Sequence, residues 1–316
     1  MSEPHTGGGD AVFDDLEALA AALEQHAPDA APIAPLKRLG SGFFSVAVES
    51  ASGVVFRLGV IAEVRQRHEM EARILPWLSR QLPLTVPNPT WLIPPSESLP
   101  HGAMGYRKLP GEPIEAEVLE QADQQAIARQ LGDFICALEQ IPVSDALARG
   151  VPGPESRTAG WERTRDAVLP VLQPLLEPAD YQQVQQFWEE LLRDPAMRFE
   201  PVFTHGDLAD DNILVDLETS RITGILDWEW MSVGDQAQNF RGVYRHANHG
   251  FDQEVRAAFE AAGGRFDDGI EYRLQRDRQV STFYGILFAA RRRDEQALQV
   301  LIGRLRERGV LTGLEE

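Results

Sequence analysis

HGDLADDNILVD (205–216), followed closely by RITGILDWEW (221–230), decides how this chain is read. Both stretches have the β-branched and aliphatic texture of short strands, yet they carry polar residues where packing alone would place apolar ones. Asp207 closes a short apolar run, Asn212 follows in LADDN, and Asp227 ends the second run in GILDW. A turn between Asp207 and Asn212 presents both side chains to one space, and a hairpin from Asn212 to Asp227 brings the second carboxylate beside them. Phosphoryl transfer needs such a set: a carboxylate for the acceptor hydroxyl, hard oxygen ligands for magnesium, and groups that position phosphates. Asp207 is the expected catalytic carboxylate, and Asn212 and Asp227 are the expected Mg2+ ligands. Gly206 permits a sharp backbone approach, and His205 is expected to hold the loop by hydrogen bonding.

Upstream of this centre, Leu16, Leu19 and Leu23 recur at helical spacing until Pro28, which predicts an N-terminal helix. KRLGSGFFSVAVES (37–50) and GVVFRLGV (53–60) read as a β-hairpin joined through Ser52 and Gly53, with the turn at Gly40 to Gly42 preceding or interrupting its first strand. Met70, Ile74, Trp77, Leu78 and Leu82 mark one face of a helix that contains Pro76. A proline-rich passage (86–102) and a short strand in AMGYR (103–107) then lead to Pro110, Gly111 and Pro113, where the texture becomes mainly helical. Ile127, Leu131, Phe134, Ile135 and Leu138 form one helical stripe, and Val184, Phe187, Trp188, Leu191 and Leu192 another.

The chain has 316 residues, of which 43% are hydrophobic and 25% charged, enough for two modest lobes. Thirty basic against forty-nine acidic side chains give a net charge of -19, which disfavours nucleic acid and acidic membrane surfaces and favours solubility. Without a hydrophobic signal core or a long apolar run, a cytoplasmic protein is expected. The single cysteine, Cys136, reads as a buried helix residue rather than a reactive thiol.

HGDLADDN with ILDW resembles the signature of the aminoglycoside phosphotransferase family, small-molecule relatives of the protein kinases. Within it, EARILPWLSRQLPLTVPNP (71–89) and FEAAGGR (259–265) look most like the macrolide phosphotransferases. The resemblance implies an α+β, bilobal, protein-kinase-like fold. Residues 1–110 would form an N-terminal helix plus a small β-rich nucleotide-binding lobe, and residues 111–316 a larger, mainly helical catalytic and substrate-binding lobe. It implies ATP or GTP as phosphate donor, Mg2+ as cofactor, and a macrolide or aminoglycoside hydroxyl as acceptor. LGSGFFS (39–45) is similar to the loop that covers the nucleotide phosphates, with Gly40, Ser41, Gly42 and Ser45 as its contacts. Arg57 in VVFRL stands where kinases commonly place lysine, and Glu71 is the acid expected to pair with it.

The chain departs from the family pattern at Gln236 and Asn239, which replace a proline and an acid, and at Glu139, which replaces a histidine. Asp210, Asp211, Glu229 and Asp235 surround the proposed centre and could receive a cationic amine. A kinase of another metabolite, such as an amino alcohol or sugar derivative, and a catalytically weak nucleotide-binding regulatory module are the alternative readings. His246 and His249 in HANH have the spacing of a zinc pair but no third ligand. The sequence contains no complete HExxH motif, GxSxG elbow or P-loop.

Overall fold

Alternation in VVFRLG organises the smaller sheet. The computed structural model describes residues 13–42, 44–243 and 250–311. Val54, Phe56 and Leu58 are fully buried on one face, against Leu19 and Leu23 of the N-terminal helix α1 (Leu16–His26). Val55 packs on the opposite face with Met104 and Tyr106. The period of two therefore sends Arg57 to that second face, away from α1.

The sheet has five antiparallel strands, β1 (Lys37–Ser41), β2 (Ser45–Glu49), β3 (Val54–Gly59), β4 (Trp91–Ile93) and β5 (Ala103–Arg107), in the order β1-β2-β3-β5-β4. The turn around Gly42 interrupts the run 37–50, so the expected hairpin is a meander of three strands, because Gly42 N–H closes a tight turn onto the Ser45 carbonyl at 2.8 Å. Helix α2 (Val64–Leu78) lies between β3 and β4 in sequence. Pro76 falls in its last turn, so the hydrogen bond it forfeits lies where the helix ends two residues later. Met70, Ile74, Leu75 and Leu78 belong to the core of the helical part, so α2 links the sheet to the rest of the molecule.

The remaining elements are mainly helical: α3 (Ala116–Gln121), α4 (Gln124–Glu139), α5 (Val143–Ala148), α6 (Glu155–Leu172), α7 (Pro178–Arg193), α8 (Ala237–Phe240), α9 (Phe251–Ala261), α10 (Ile270–Arg292) and α11 (Glu295–Glu307). Cys136 is buried in α4. The stripe on α4 packs against α9 so closely that a Cβ on Gly132 would fall 2.6 Å from the Ala258 methyl. Trp188 of α7 and Phe283 of α10 stack with centroids 4.9 Å apart, a contact worth about 0.5–1.5 kcal/mol beyond burial. Two short sheets complete the fold. Strand β7 (Val202–Thr204) pairs with β10 (Ser232–Gly234), and β6 (Glu112–Pro113), β8 (Ile213–Asp216) and β9 (Arg221–Ile225) lie side by side. The architecture is α+β and bilobal, a β-rich unit followed by a larger helical one. Among the described residues, no helix is long and apolar enough to cross a membrane. His246 and His249 lie outside the described residues.

Candidate active site

The β8–β9 hairpin brings the predicted centre together. Asn212 donates its side-chain N–H to the Asp207 carbonyl at 2.9 Å, and Leu226 N–H donates to the Asn212 carbonyl at 2.7 Å, which sets Asp227 beside the 207–212 turn. Gly206 has φ of +84°, and a Cβ there would fall 2.3 Å from the Trp230 carbonyl oxygen. Glycine is thus required for the 205–207 turn to lie against the segment after β9. Asp227 also adopts a left-handed backbone, with φ of +58°, at a cost on the order of 1 kcal/mol. That conformation is held from both sides, by the hairpin behind it and by Arg57 at 3.0 Å from its carboxylate.

His205 serves the loop. Its Nε2–H donates to the Leu226 carbonyl at 2.9 Å, and its Nδ1 accepts from Asp207 N–H at 3.2 Å, so the neutral ring engages both neighbours. Burial pushes its pKa down to about 4, and the ring packs 4.4 Å from buried Trp228. Asp207 keeps a partly exposed carboxylate, 3.3 Å from Arg241, whose guanidinium also donates to the Gly206 carbonyl.

Arg57 meets Glu71 as the sequence reading expects. Its Nη1 lies 3.1 and 3.0 Å from the two Glu71 oxygens, and Glu71 is almost fully buried rather than on a solvated helix face. The outward arm, expected to face a nucleotide, instead donates from Nη2 to Asp227 at 3.0 Å and to Glu229. Nε reaches Ser45 Oγ at 3.4 Å, so Ser45 also faces Arg57. Burial works against the Arg57 charge, and Glu71, Asp227 and Glu229 outweigh it, leaving its pKa raised. Burial likewise pushes the Glu71 carboxyl up to about 7 and raises that of Glu229. Gly40 and Gly42 have no left-handed backbone, and a Cβ on either would meet no close contact, so the fold itself does not demand glycine there. Ser41 is exposed at the end of β1.

Among the four acids expected around the centre, Glu229 takes Arg57, and buried Asp235 takes Arg273 at 2.8 Å. The departures Glu139, Gln236 and Asn239 form one network. Gln236 and Asn239 donate to the two Glu139 oxygens at 2.6 and 3.1 Å, and Asn239 Oδ1 receives His205 N–H at 2.9 Å. The three positions support the 205–207 turn as a unit.

A cleft of about 880 Å³ opens from Asp207 toward α6 and α10. Trp161, Trp230 and Tyr284 give it apolar surface, while Arg163, Asp277 and Arg308 give it charge. Sequence reasoning missed this far wall, together with Arg241 and Arg67. Asp277, Ser281 and Tyr284 recur at helical spacing, but a mixed polar stripe is what a solvated helix face also shows. Arg67 was more legible, standing one turn before Glu71 on the same face of α2.

A profile of the phosphotransferase enzyme family matches residues 35–274. The chain belongs to this family. Viomycin phosphotransferase from Streptomyces vinaceus is 25% identical over 194 residues, a match that covers 60% of this chain and 65% of that relative's length. Among solved structures, the GDP and kanamycin complex of an aminoglycoside phosphotransferase aligns with a TM-score of 0.78 at 22% identity, over 92% of this chain and 98% of the other. The apoenzyme of a macrolide 2'-phosphotransferase from Brachybacterium faecium aligns at 0.66, also 22% identical, over 95% of this phosphotransferase-family chain and 100% of its own. At such identities these alignments speak for the fold.

Proposed function

We propose that this chain transfers the terminal phosphate of ATP or GTP to a hydroxyl of a small molecule, with Asp207 at the centre of the reaction. The observation that carries this reading is the convergence of Asp207, Asn212 and Asp227 on one turn and hairpin, opening on a cleft large enough for a drug-sized acceptor. The Asp207 carboxylate orients the acceptor hydroxyl and takes its proton as oxygen attacks the terminal phosphorus and the bond to the diphosphate breaks. Arg241 fixes that carboxylate from the side.

The residues present fit magnesium. Because the Asn212 amide N–H is turned to the Asp207 carbonyl, its Oδ1 is left without a protein donor among the described residues, next to the partly exposed Asp227 carboxylate. Two such oxygens leave most of the coordination sphere for water and phosphate, as magnesium prefers, and the ion would neutralise and orient the phosphates. Gly40, Ser41 and Gly42 would lie over the phosphates, with the Arg57–Glu71 pair buried behind them.

The antibiotics named for these relatives, viomycin, kanamycin and a macrolide, make hydroxylated antibiotics the first acceptor class. Cationic acceptors have the acidic chain in their favour, while arginines on the far wall make neutral and acidic polyols necessary members of a screen. Purified protein should be screened for nucleotide consumption against aminoglycosides, macrolides, viomycin, amino alcohols and sugar derivatives, with ATP and GTP in separate arms. Acceptor-dependent release of diphosphate on any class supports the reading. Tight nucleotide binding with no turnover across the panel would favour a regulatory nucleotide-binding module instead.

A further inference from the structure

Arg57 occupies the position at which related kinases meet the nucleotide phosphates, yet its donors are already taken. A guanidinium carries five N–H groups in a fixed fork. In Arg57, Nε points to Ser45, the two Nη1 hydrogens are matched by the two Glu71 oxygens, and the two Nη2 hydrogens by Asp227 and Glu229. Five donors meet five acceptors, the residue is only 7% exposed, and it is not on the wall of the cleft that contains Asp207. A phosphate could reach it only by displacing a carboxylate from a buried cation.

Arg67 has the opposite profile. It lies on that cleft wall with Asp207 and is held by packing more than by pairing, with its guanidinium carbon 4.2 Å from the Phe44 ring and 4.4 Å from the Trp230 ring. Among the described residues its one hydrogen bond is from Nη1 to the Glu229 carbonyl at 2.6 Å, so most of its donors have no acceptor there. Glu229 thus serves both arginines, holding Arg57 with its side chain and Arg67 with its backbone. Phe44 comes from the glycine-containing β1–β2 connection, so the same guanidinium touches the segment expected above the phosphates.

We infer that Arg67 is the protein cation that meets the terminal phosphate, while Arg57 is a positioning residue that aims Asp227 and anchors Glu71 and Glu229. The inference rests on the phosphotransfer reading for its ligand, and on the geometry of the two arginines for its division of labour. Packing against these two rings, which also touch each other with centroids 5.2 Å apart, orients the Arg67 fork without using its donors and leaves them for phosphate oxygens.

Calorimetry with non-hydrolysable imido-triphosphate analogues of ATP and GTP, and with ADP and GDP, tests the assignment without needing turnover. Arg67→Gln should weaken triphosphate binding about tenfold while changing diphosphate binding less than about threefold, and Arg67→Lys should restore most of the loss. Arg57→Lys retains the charge and lowers the chance of misfolding; it should leave metal-free triphosphate affinity within about threefold and raise the magnesium concentration needed for half-maximal turnover. An unchanged triphosphate-to-diphosphate ratio in Arg67→Gln overturns the inference, as does a tenfold loss of metal-free triphosphate affinity in Arg57→Lys. If the wild-type chain binds none of these nucleotides, the phosphotransfer reading falls first and takes this inference with it.

Discussion

Two buried arginines, Arg57 and Arg273, do different work because their surroundings balance charge differently. Arg273 of α10 is met by Asp235, which is fully buried, and by Asp267, which is half in solvent, at 2.8 Å and 2.6 Å. The hydrogen bonds from Arg273 pull the Asp267 carboxyl below its usual range. This cluster sets one guanidinium against two carboxylates, one of them half in solvent, and it ties α10 to the loop after β10. Arg57 instead sits among three carboxylates, and burial raises Glu71 and Glu229 against the opposing pull of Arg57 and Arg67. Three carboxylates around one guanidinium leave acceptor oxygens to spare, which fits the proposed addition of a metal ion there.

Removing each arginine should separate structure from function. Arg273→Ala leaves buried Asp235 without its partner and should cost about 3–5 kcal/mol of stability, read as a fall in Tm and in the denaturant midpoint. A loss below about 1 kcal/mol would break the contrast, because the cluster would then hold nothing in place. Asp227→Ala acts on the other cluster. It should lower turnover by roughly 10²–10³ and raise the magnesium requirement, while Asn212→Ala shifts both in the same direction by less. Magnesium titrations of the two variants check this, and unchanged metal dependence would remove them as ligands.

A double-mutant cycle on Arg57 and Glu71 is the sharper and smaller test. Arg57→Gln and Glu71→Gln should be coupled by about 0.5–3 kcal/mol in kcat/KM for the nucleotide, since each loses the same ion pair. Simple additivity with small single effects would return Glu71 to the status of an ordinary helix acid. The smallest effect concerns Glu139, whose carboxyl burial raises to about 7. A folded pKa above the ordinary value near 4.5 means the native state holds the extra proton between those two pH values. Stability from this group is present at low pH and is lost as pH rises toward 7. Glu139→Gln should flatten that part of the stability–pH curve, measured by denaturation at pH 4.5, 6 and 7.5; an unchanged slope would contradict the shift.

The same contrast explains what could be read from the sequence. Asp207, Asn212 and Asp227 were legible because polar residues at short spacing interrupt two strand-like runs, and short loops carry such spacing directly into geometry. Arg57 and Glu71 were legible through strand parity and helix face, but the saturation of Arg57 by Asp227 and Glu229 joins residues 170 and 172 positions apart, which no local pattern encodes. Glu139, Gln236 and Asn239 looked like three separate departures from a pattern. They are one exchange, since Glu139 receives both amides across 97 and 100 positions. The far wall of the cleft was hidden for another reason: Asp277, Ser281 and Tyr284 make a stripe with no excess of hydrophobicity, and only the packing of α6 against α10 turns it toward Asp207.

Asp207→Asn tests the central claim most directly, because it keeps the size of the side chain and removes the oxygen that takes the proton. Single-turnover transfer and nucleotide affinity should be measured on the same protein with an acceptor found in the screen. The transfer rate should fall by roughly 10²–10⁴, while nucleotide affinity stays within about threefold, since the proposed role of this carboxylate is toward the acceptor. Near-native transfer by Asp207→Asn would contradict its place at the centre of the reaction.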